Sequence, residues 1–323
     1  VTSSESYKTP GRSEQQDVVP DPAPPMTDSV AVVIPVYNGA PYLAEAIESV
    51  LAQTHPADEI IVIDDGSTDD SLAIARRFEG ITVVAQKNAG VCASRNRGVE
   101  MAATKWVAFL DQDDAYLPGK LEIQLRAVRA NPEADLCVAG LKAIRQVGYT
   151  DEFWPDGDFV PPPADQIGPR LYRELRMCPG VFLMLRSTFL RVGGFELNST
   201  PCEDWNLLLR LEQAKANFVS CPAPVLRYRI HSSNNSNDGW KMCRAELRTY
   251  DSLIGPRVNP LIRPFVRRFR ESGFIAAVAL VHREQNLPHV GTMLQSLFVC
   301  PLGNWMRYKI VAHMLLTKAG LIR

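Results

Sequence analysis

The stretch VAFLDQDDAYLP, residues 107–118, leads four apolar residues straight into three carboxylates, Asp111, Asp113 and Asp114. At neutral pH such groups are ionised and repel one another, so a strand that delivers them together calls for a positive partner. Side chains alternate along a strand, which puts Asp111 and Asp113 on one side and directs Asp114 elsewhere. Two hard carboxylate ligands suit Mg²⁺ or Mn²⁺ and leave coordination positions for phosphate oxygens. The competing reading is an acidic turn capping the helix that PGKLEIQL begins, where Asp is common.

A second acidic strand end, DDGSTD (64–69), sets Asp65 beside Gly66. Glycine admits close backbone approach, and a carboxylate there can accept from a base N–H; D-G is equally a plain turn signal. IPVYN (34–38) adds the Tyr37 ring and the Asn38 amide, against which a base could stack and bond. Simple packing is the alternative for Tyr37. NAGVCASRNRG (88–98) brings Arg95 and Arg97 toward the same edge, suited to pyrophosphate or base oxygens.

Periodicity supplies the elements that hold these positions. SVAVVIPVYN is a short, β-branched run ended by Pro and Asn, the pattern of a fully buried strand. Leu43, Ile47, Val50 and Leu51 recur at helical spacing after it. EIIVID, ITVVAQKN and KWVAFLDQDD read as three further strands, with helices in DSLAIARRF and GVCASRNRGVEMA between them. This alternation predicts an α/β fold, a mostly parallel Rossmann-like sheet with helices on both faces. Ligands of such sheets gather at the carboxyl ends of the strands, where every motif above lies. Beyond residue 130, ADLCVAGLKAI reads as a strand, FWPDGDFVPPPADQIGP as a long Pro-rich loop and WNLLLRLEQA as a helix. From about residue 240 the pattern is helical, broken at Pro260, Pro264, Pro288 and Pro301.

Composition narrows the classes. With 46 % hydrophobic and 22 % charged residues the chain is an ordinary globular one. Its net charge of −1 excludes polyanion binding by the whole protein, and no nucleic acid partner is expected. From Lys241 onward 13 Lys and Arg face 4 Asp and Glu. That excess, RPFVRRFRESGF above all, fits peripheral contact with an anionic membrane, a helical lid or a dimer contact. Residues 1–27, rich in Ser, Pro, Glu and Asp, are expected to form a disordered tail. Seven cysteines without a CxxC pair suit free thiols in a reducing compartment. No apolar run reaches the ~18 residues of a membrane span, and the first residues lack a signal-peptide core. A cytoplasmic location, peripheral at the membrane face, is the expectation.

Taken in order, IPVYN, SVLAQT, EIIVIDDGSTDDS, NAGVCASRNRG, FLDQDD, GGF and CEDW closely resemble the family 2 glycosyltransferases of the GT-A fold. The agreement runs from about residue 30 to 124 and resumes from 179 to 236. The resemblance implies a GT-A catalytic domain over 28–237, followed by a basic helical region over 238–323. It implies inverting, metal-dependent transfer of a sugar from a nucleotide-diphosphate donor, expected to be a UDP-sugar. The acceptor would be a saccharide or lipid-linked hydroxyl, in assembly of a cell-surface polysaccharide or glycolipid. Carried over by position, Pro35, Tyr37, Asn38 and Asp65 would hold the nucleoside, with Arg95 nearby. Asp111 and Gln112 would meet the ribose and sugar. Asp113, with Asp111, Asp114 and His231, would hold Mn²⁺ or Mg²⁺ against the diphosphate. In CEDW, Asp204 would take the acceptor proton, with Glu203 the second candidate. The pair is also the acidic start of a helix, and both readings can hold together. Gly180 and Gly194 would let the chain approach the substrates.

Two other classes remain. A sugar-phosphate nucleotidyltransferase should carry a Gly-rich, basic loop after the first strand, yet PVYNGAPYLAEA has one Gly and no Lys or Arg. A non-catalytic sugar or lipid-surface binding protein should have lost the DxD or the ED pair, and both stand.

Overall fold

The computed structural model describes residues 28–145, 158–171, 177–231, 238–258, 260–261, 263–264, 266–268 and 271. The tail expected over 1–27 and most of the region expected over 238–323 lie outside the described residues.

The first half folds as its periodicity dictates. Strands β1 (Val30–Val36), β2 (Glu59–Asp64), β3 (Thr82–Ala85) and β4 (Trp106–Phe109) alternate with helices α1 (Leu43–Leu51), α2 (Ser71–Ala75) and α3 (Val91–Met101). The second half adds β5 (Ala115–Tyr116), α4 (Lys120–Arg129), β6 (Leu136–Arg145), α5 (Ala164–Leu171) and β7 (Phe182–Leu185). It continues through α6 (Arg186–Arg191), α7 (Glu203–Gln213), β8 (Phe218–Ile230) and α8 (Gly239–Thr249). Eight strands form one sheet in the order β3-β2-β1-β4-β7-β6-β8-β5. The pairs β1–β2, β1–β4, β2–β3 and β6–β8 are parallel, whereas β7 opposes both β4 and β6, and β5 opposes β8. The order reverses at β1, with β2 on one side and β4 on the other. Open α/β sheets leave a crevice at the carboxyl ends of such a pair.

Pro35 sits inside the fully buried β1 without breaking the ladder. Val33 O accepts from Leu110 N, and Val36 O accepts from Asp65 N, so odd residues of β1 face β4 and even ones face β2. Pairing with β4 stops at Val33, so the N–H that Pro35 lacks would face a gap already opening. The strands diverge there, and the crevice begins.

Helix α3 lies on β1 and β2 through Gly98. A Cβ at Gly98 would come 2.3 Å from Val33 Cγ1. This approach sets the depth at which Arg95, three residues earlier, enters the end of the sheet. Below it Phe109, Phe189 and Phe195 pack mutually, with ring centroids 5.2 to 5.7 Å apart.

Residues 164–169, expected as the end of a loop, belong to α5 despite Pro169. Ile167 and Leu171, one turn apart, are wholly buried, and Leu171 O accepts from Trp205 Nε1 of α7 at 2.6 Å. Burying two such side chains is worth roughly 1.5–3 kcal/mol each, enough to offset the ~3 kcal/mol cost of an interior proline. The six described cysteines are free thiols, all buried except the half-buried Cys221. Among the described residues no helix is long and apolar enough to cross a membrane.

A polar pair is built into the core. Lys120, at the start of α4, is completely buried. Its Nζ donates to Gln124 Oε1 at 2.6 Å and to Phe182 O at 3.3 Å, and lies 4.6 Å from the Tyr116 ring centroid. Gln124 Nε2 donates onward to Val181 O at 2.8 Å and Cys137 O at 3.3 Å, tying α4 to β6 and to the entry of β7. Burial pushes the Lys120 amine down to about 7.

Replacing Gly98 by Ala should cost about 1–3 kcal/mol through overpacking against Val33, read as a melting temperature lower by several degrees. The Lys120 amine titrates near ~10.4 in the unfolded chain. Between the folded and unfolded values the unfolded chain binds more protons, so stability from this group rises with pH and is lost as pH falls through about 7. The melting temperature of the wild type relative to Lys120→Met should therefore climb from about pH 6 to about pH 9; a pH-independent difference would refute the depressed amine.

Candidate functional site

The crevice is lined by the segments leaving β1, β2 and β4, by the end of β8 and by the start of α7. Side chains of the sequence motifs build these loops. Asn38, at a positive φ of 53°, accepts at Oδ1 from Thr68 N at 2.8 Å, and its own N–H donates to Ser67 Oγ at 3.0 Å. Ala40 N donates to Asp69 Oδ2, and Gly39 N to Ser71 Oγ. The loop after β1 is thereby stitched to the loop after β2. Gln112 clasps the same segment, accepting from Tyr37 N at 2.8 Å and donating to Tyr37 O at 3.1 Å. The Tyr37 ring is left half exposed at the rim. Asp65 is buried and accepts from Gln86 Nε2, Ala89 N and Gly90 N at 2.7 to 2.9 Å, holding the loop that enters α3. Arg97 is exposed and donates to Gln86 Oε1 at 2.9 Å.

The acidic stretch is a turn, not a strand. β4 ends at Phe109, and Asp114 N donates back to Asp111 O at 3.1 Å. The turn, rather than strand alternation, gives each carboxylate its own partner. Asp111 meets Arg95, Asp113 meets His231, and Asp114 accepts at Oδ1 from Arg229 N at 2.8 Å. Burial, reinforced by the charges of Asp113 and Asp111, pushes the Asp114 carboxyl well above its usual range. The Cys178 thiol is raised in the same way, first by burial and then by Asp114, Asp111 and Asp204.

Arg95 is the centre of the arrangement. It is 2 % exposed, with Nη2 at 2.5 Å from Asp111 Oδ1 and Nη1 at 2.9 Å from Glu203 Oε1. Its guanidinium lies 5.2 Å from the Phe195 ring centroid. Burial opposes the charge, but the two carboxylates outweigh it and raise the Arg95 pKa. One cation thus joins the DxD turn to the ED helix.

The ED pair divides at the first turn of α7. Glu203 points inward to Arg95 and is buried, while Asp204 stays partly accessible at the helix N-terminus, where the helix dipole favours a carboxylate. Asp204 Oδ1 also accepts from Trp205 N at 2.6 Å. Gly180 and Gly194 meet protein: a Cβ at Gly180 would strike Leu226, and one at Gly194 would strike Asn96.

Among the described residues no three His, Cys, Asp or Glu side chains form a complete metal cage. The donors that do converge are Asp113 Oδ2 and His231 Nε2, 3.0 Å apart, a carboxylate–imidazole pair. Such a set suits Mn²⁺ or Mg²⁺ when substrate phosphate oxygens complete the shell. Glu203 Oε2, Arg95 Nε and Asp114 Oδ2 are buried with no hydrogen-bond partner. Unmet polar atoms of this kind concentrate where a ligand or water completes a site.

Residues 31–193, half of the chain, match the family model described as Glycosyl transferase family 2. The chain belongs to glycosyl transferase family 2. An uncharacterized glycosyltransferase of Rickettsia felis is 48 % identical over 105 residues, covering 32 % of this chain but only 17 % of that relative. One from Rickettsia prowazekii is 29 % identical over 228 residues, covering 69 % of this chain and 70 % of the relative. The putative teichuronic acid biosynthesis glycosyltransferase TuaG of Bacillus subtilis is 41 % identical over 101 residues, 30 % of this chain and 40 % of TuaG. Among solved structures, residues 1–349 of S. aureus TarS in complex with UDP superpose with a TM-score of 0.53 at 17 % identity, covering 79 % of this chain and 82 % of TarS. The same TarS segment with UDP-GlcNAc gives 0.52 at 16 % identity, covering 79 % of this chain and 83 % of that one. The likeness to TarS establishes the GT-A fold, as the motif order implied.

Sequence reading missed the bridging role of Arg95 and the contribution of Tyr42, Glu45 and Arg229 around His231. For Arg229 a signal existed: it stands two residues before His231 at the end of a strand. Replacing Arg95 by Met would leave Asp111 and Glu203 without their shared cation. The expected loss is about 3 kcal/mol or more, measured by thermal or denaturant unfolding at neutral pH. Unfolding unchanged within error would show that the bridge has no structural weight.

Proposed function

We propose that this family 2 protein is an inverting glycosyltransferase that moves a sugar from a UDP-linked donor to an acceptor hydroxyl, in cell-surface polysaccharide or glycolipid assembly. The observation that carries this reading is a buried cation, Arg95, that joins the DxD turn to the ED helix. A donor-side acidic turn and an acceptor-side carboxylate thereby border one crevice. The UDP and UDP-GlcNAc complexes of TarS support a UDP donor, and the name of TuaG supports a cell-surface polymer.

In this reading Pro35, Tyr37, Asn38 and Asp65 frame the nucleoside, with the exposed Tyr37 ring as stacking surface. Asp111, held by Arg95, faces the ribose and sugar beside Gln112. Asp113 and His231, with Asp114 behind them, would hold Mn²⁺ or Mg²⁺. The ion, when bound, offsets the charge growing on the leaving diphosphate. Asp204 accepts the acceptor proton as the hydroxyl oxygen attacks the anomeric carbon from the face opposite the diphosphate. Glu203 already carries a short ion pair to Arg95, which favours Asp204 as the base. Attack from that face inverts the anomeric centre. The acceptor is a saccharide or a lipid-linked sugar.

The test is calorimetry and product detection with UDP-, GDP- and dTDP-sugars, with and without Mn²⁺. UDP-sugar binding should require the metal. Asp204→Asn should keep donor binding and lose roughly 10²–10⁴-fold in transfer. Metal-dependent binding of a different nucleotide would reassign the donor. Full transfer by Asp204→Asn would remove the assigned base, and no binding of any nucleotide would favour a non-catalytic role.

A further inference from the structure

The end of β8 is held by the first turn of α1 through contacts that no motif announces. Glu45 accepts from both arginines of the strand, Arg227 Nη1 at 2.8 Å and Arg229 Nη2 at 2.6 Å. The Arg229 guanidinium lies 4.6 Å from the Tyr42 ring centroid. The same ring stacks on the His231 imidazole, with centroids 5.4 Å apart and planes at 28°. Arg229 and His231 are two residues apart and share a side of the strand end; Tyr42 immediately precedes α1, and Glu45, three residues on, lies in its first turn.

From this clamp three contacts reach the acidic turn. Arg229 Nε donates to Asp113 O at 3.0 Å, and Arg229 N to Asp114 Oδ1 at 2.8 Å. His231 Nε2 stands 3.0 Å from Asp113 Oδ2. The imidazole therefore reaches Asp113 from a strand end whose orientation α1 sets. Without the aromatic platform His231 loses its stacking partner, and without Glu45 the arginine above that platform loses its anchor.

We propose that Tyr42 and Glu45 are positioning residues for the metal–diphosphate end of the site, acting through Arg229 to hold His231 against Asp113. The proposal rests on the functional reading of Asp113 and His231 as the metal-holding pair. Tyr42 acts here as an aromatic surface. Its ring lies against the Arg229 guanidinium and the His231 imidazole.

The experiment is calorimetric titration of UDP into the full chain, with and without Mn²⁺, alongside thermal melting. Tyr42→Leu should weaken Mn²⁺-dependent UDP affinity about tenfold, while Tyr42→Phe should bind as the wild type does. Added to His231→Ala, Tyr42→Leu should cost little more, because both act on one imidazole. Wild-type affinity in Tyr42→Leu, or a full loss added on top of His231→Ala, would overturn the proposal. If Tyr42→Leu does not fold, Glu45→Gln keeps the volume and removes both ion pairs. A drop of about threefold or more in its Mn²⁺-dependent affinity supports the clamp, and no drop overturns it. Failure of the wild type itself to bind UDP with Mn²⁺ would overturn the functional reading first and the clamp with it.

Discussion

A guanidinium sealed from water between two carboxylates is the contact on which the site depends. Arg95, buried as it is, keeps its charge because Asp111 and Glu203 offset the cost of burial. The three come from α3, the turn after β4 and the start of α7. Moving any of these elements strands a charge in a low-dielectric interior. The close contact of Gly98 with Val33 is part of the same constraint, because it sets how deep α3 lies on the sheet.

Around this centre most motif residues are occupied with one another. Asn38, Ser67, Asp69 and Ser71 satisfy backbone amides of the two loops beside the crevice, Gln112 holds the Tyr37 segment, and Asp65 caps the entry to α3. Loops at a sheet edge cannot use strand ladders, so their buried amides need side-chain acceptors. The residue types that could bind a nucleotide are also those that can build such loops. A motif of this kind shapes the crevice through its own hydrogen bonds.

The legible parts of the fold were those with strong periodicity. β1, β2 and β4 are apolar runs buried on both faces, and α1 shows its inward stripe of Leu43, Ile47 and Val50. The stretch ending in ADQIGP read as loop because Gly168 and Pro169 are poor helix residues. It folded as helix because Ile167 and Leu171 found a buried surface on α7. Likewise DQDD read as a strand end, and the outcome was a turn that gave Asp111, Asp113 and Asp114 three different partners.

The sequence by itself determined which reactive side chains exist, their order, and their placement at the carboxyl ends of strands, because strand and helix periods are local properties of a few residues. Tertiary structure alone decided which of them touch. Arg95 and Glu203 are 108 residues apart, Glu45 and Arg229 are 184 apart, and Asp113 and His231 are 118 apart. Such pairings follow from the strand order and from how deeply each helix packs. Those depend on side-chain volume and charge burial summed over the whole core, which no local pattern encodes.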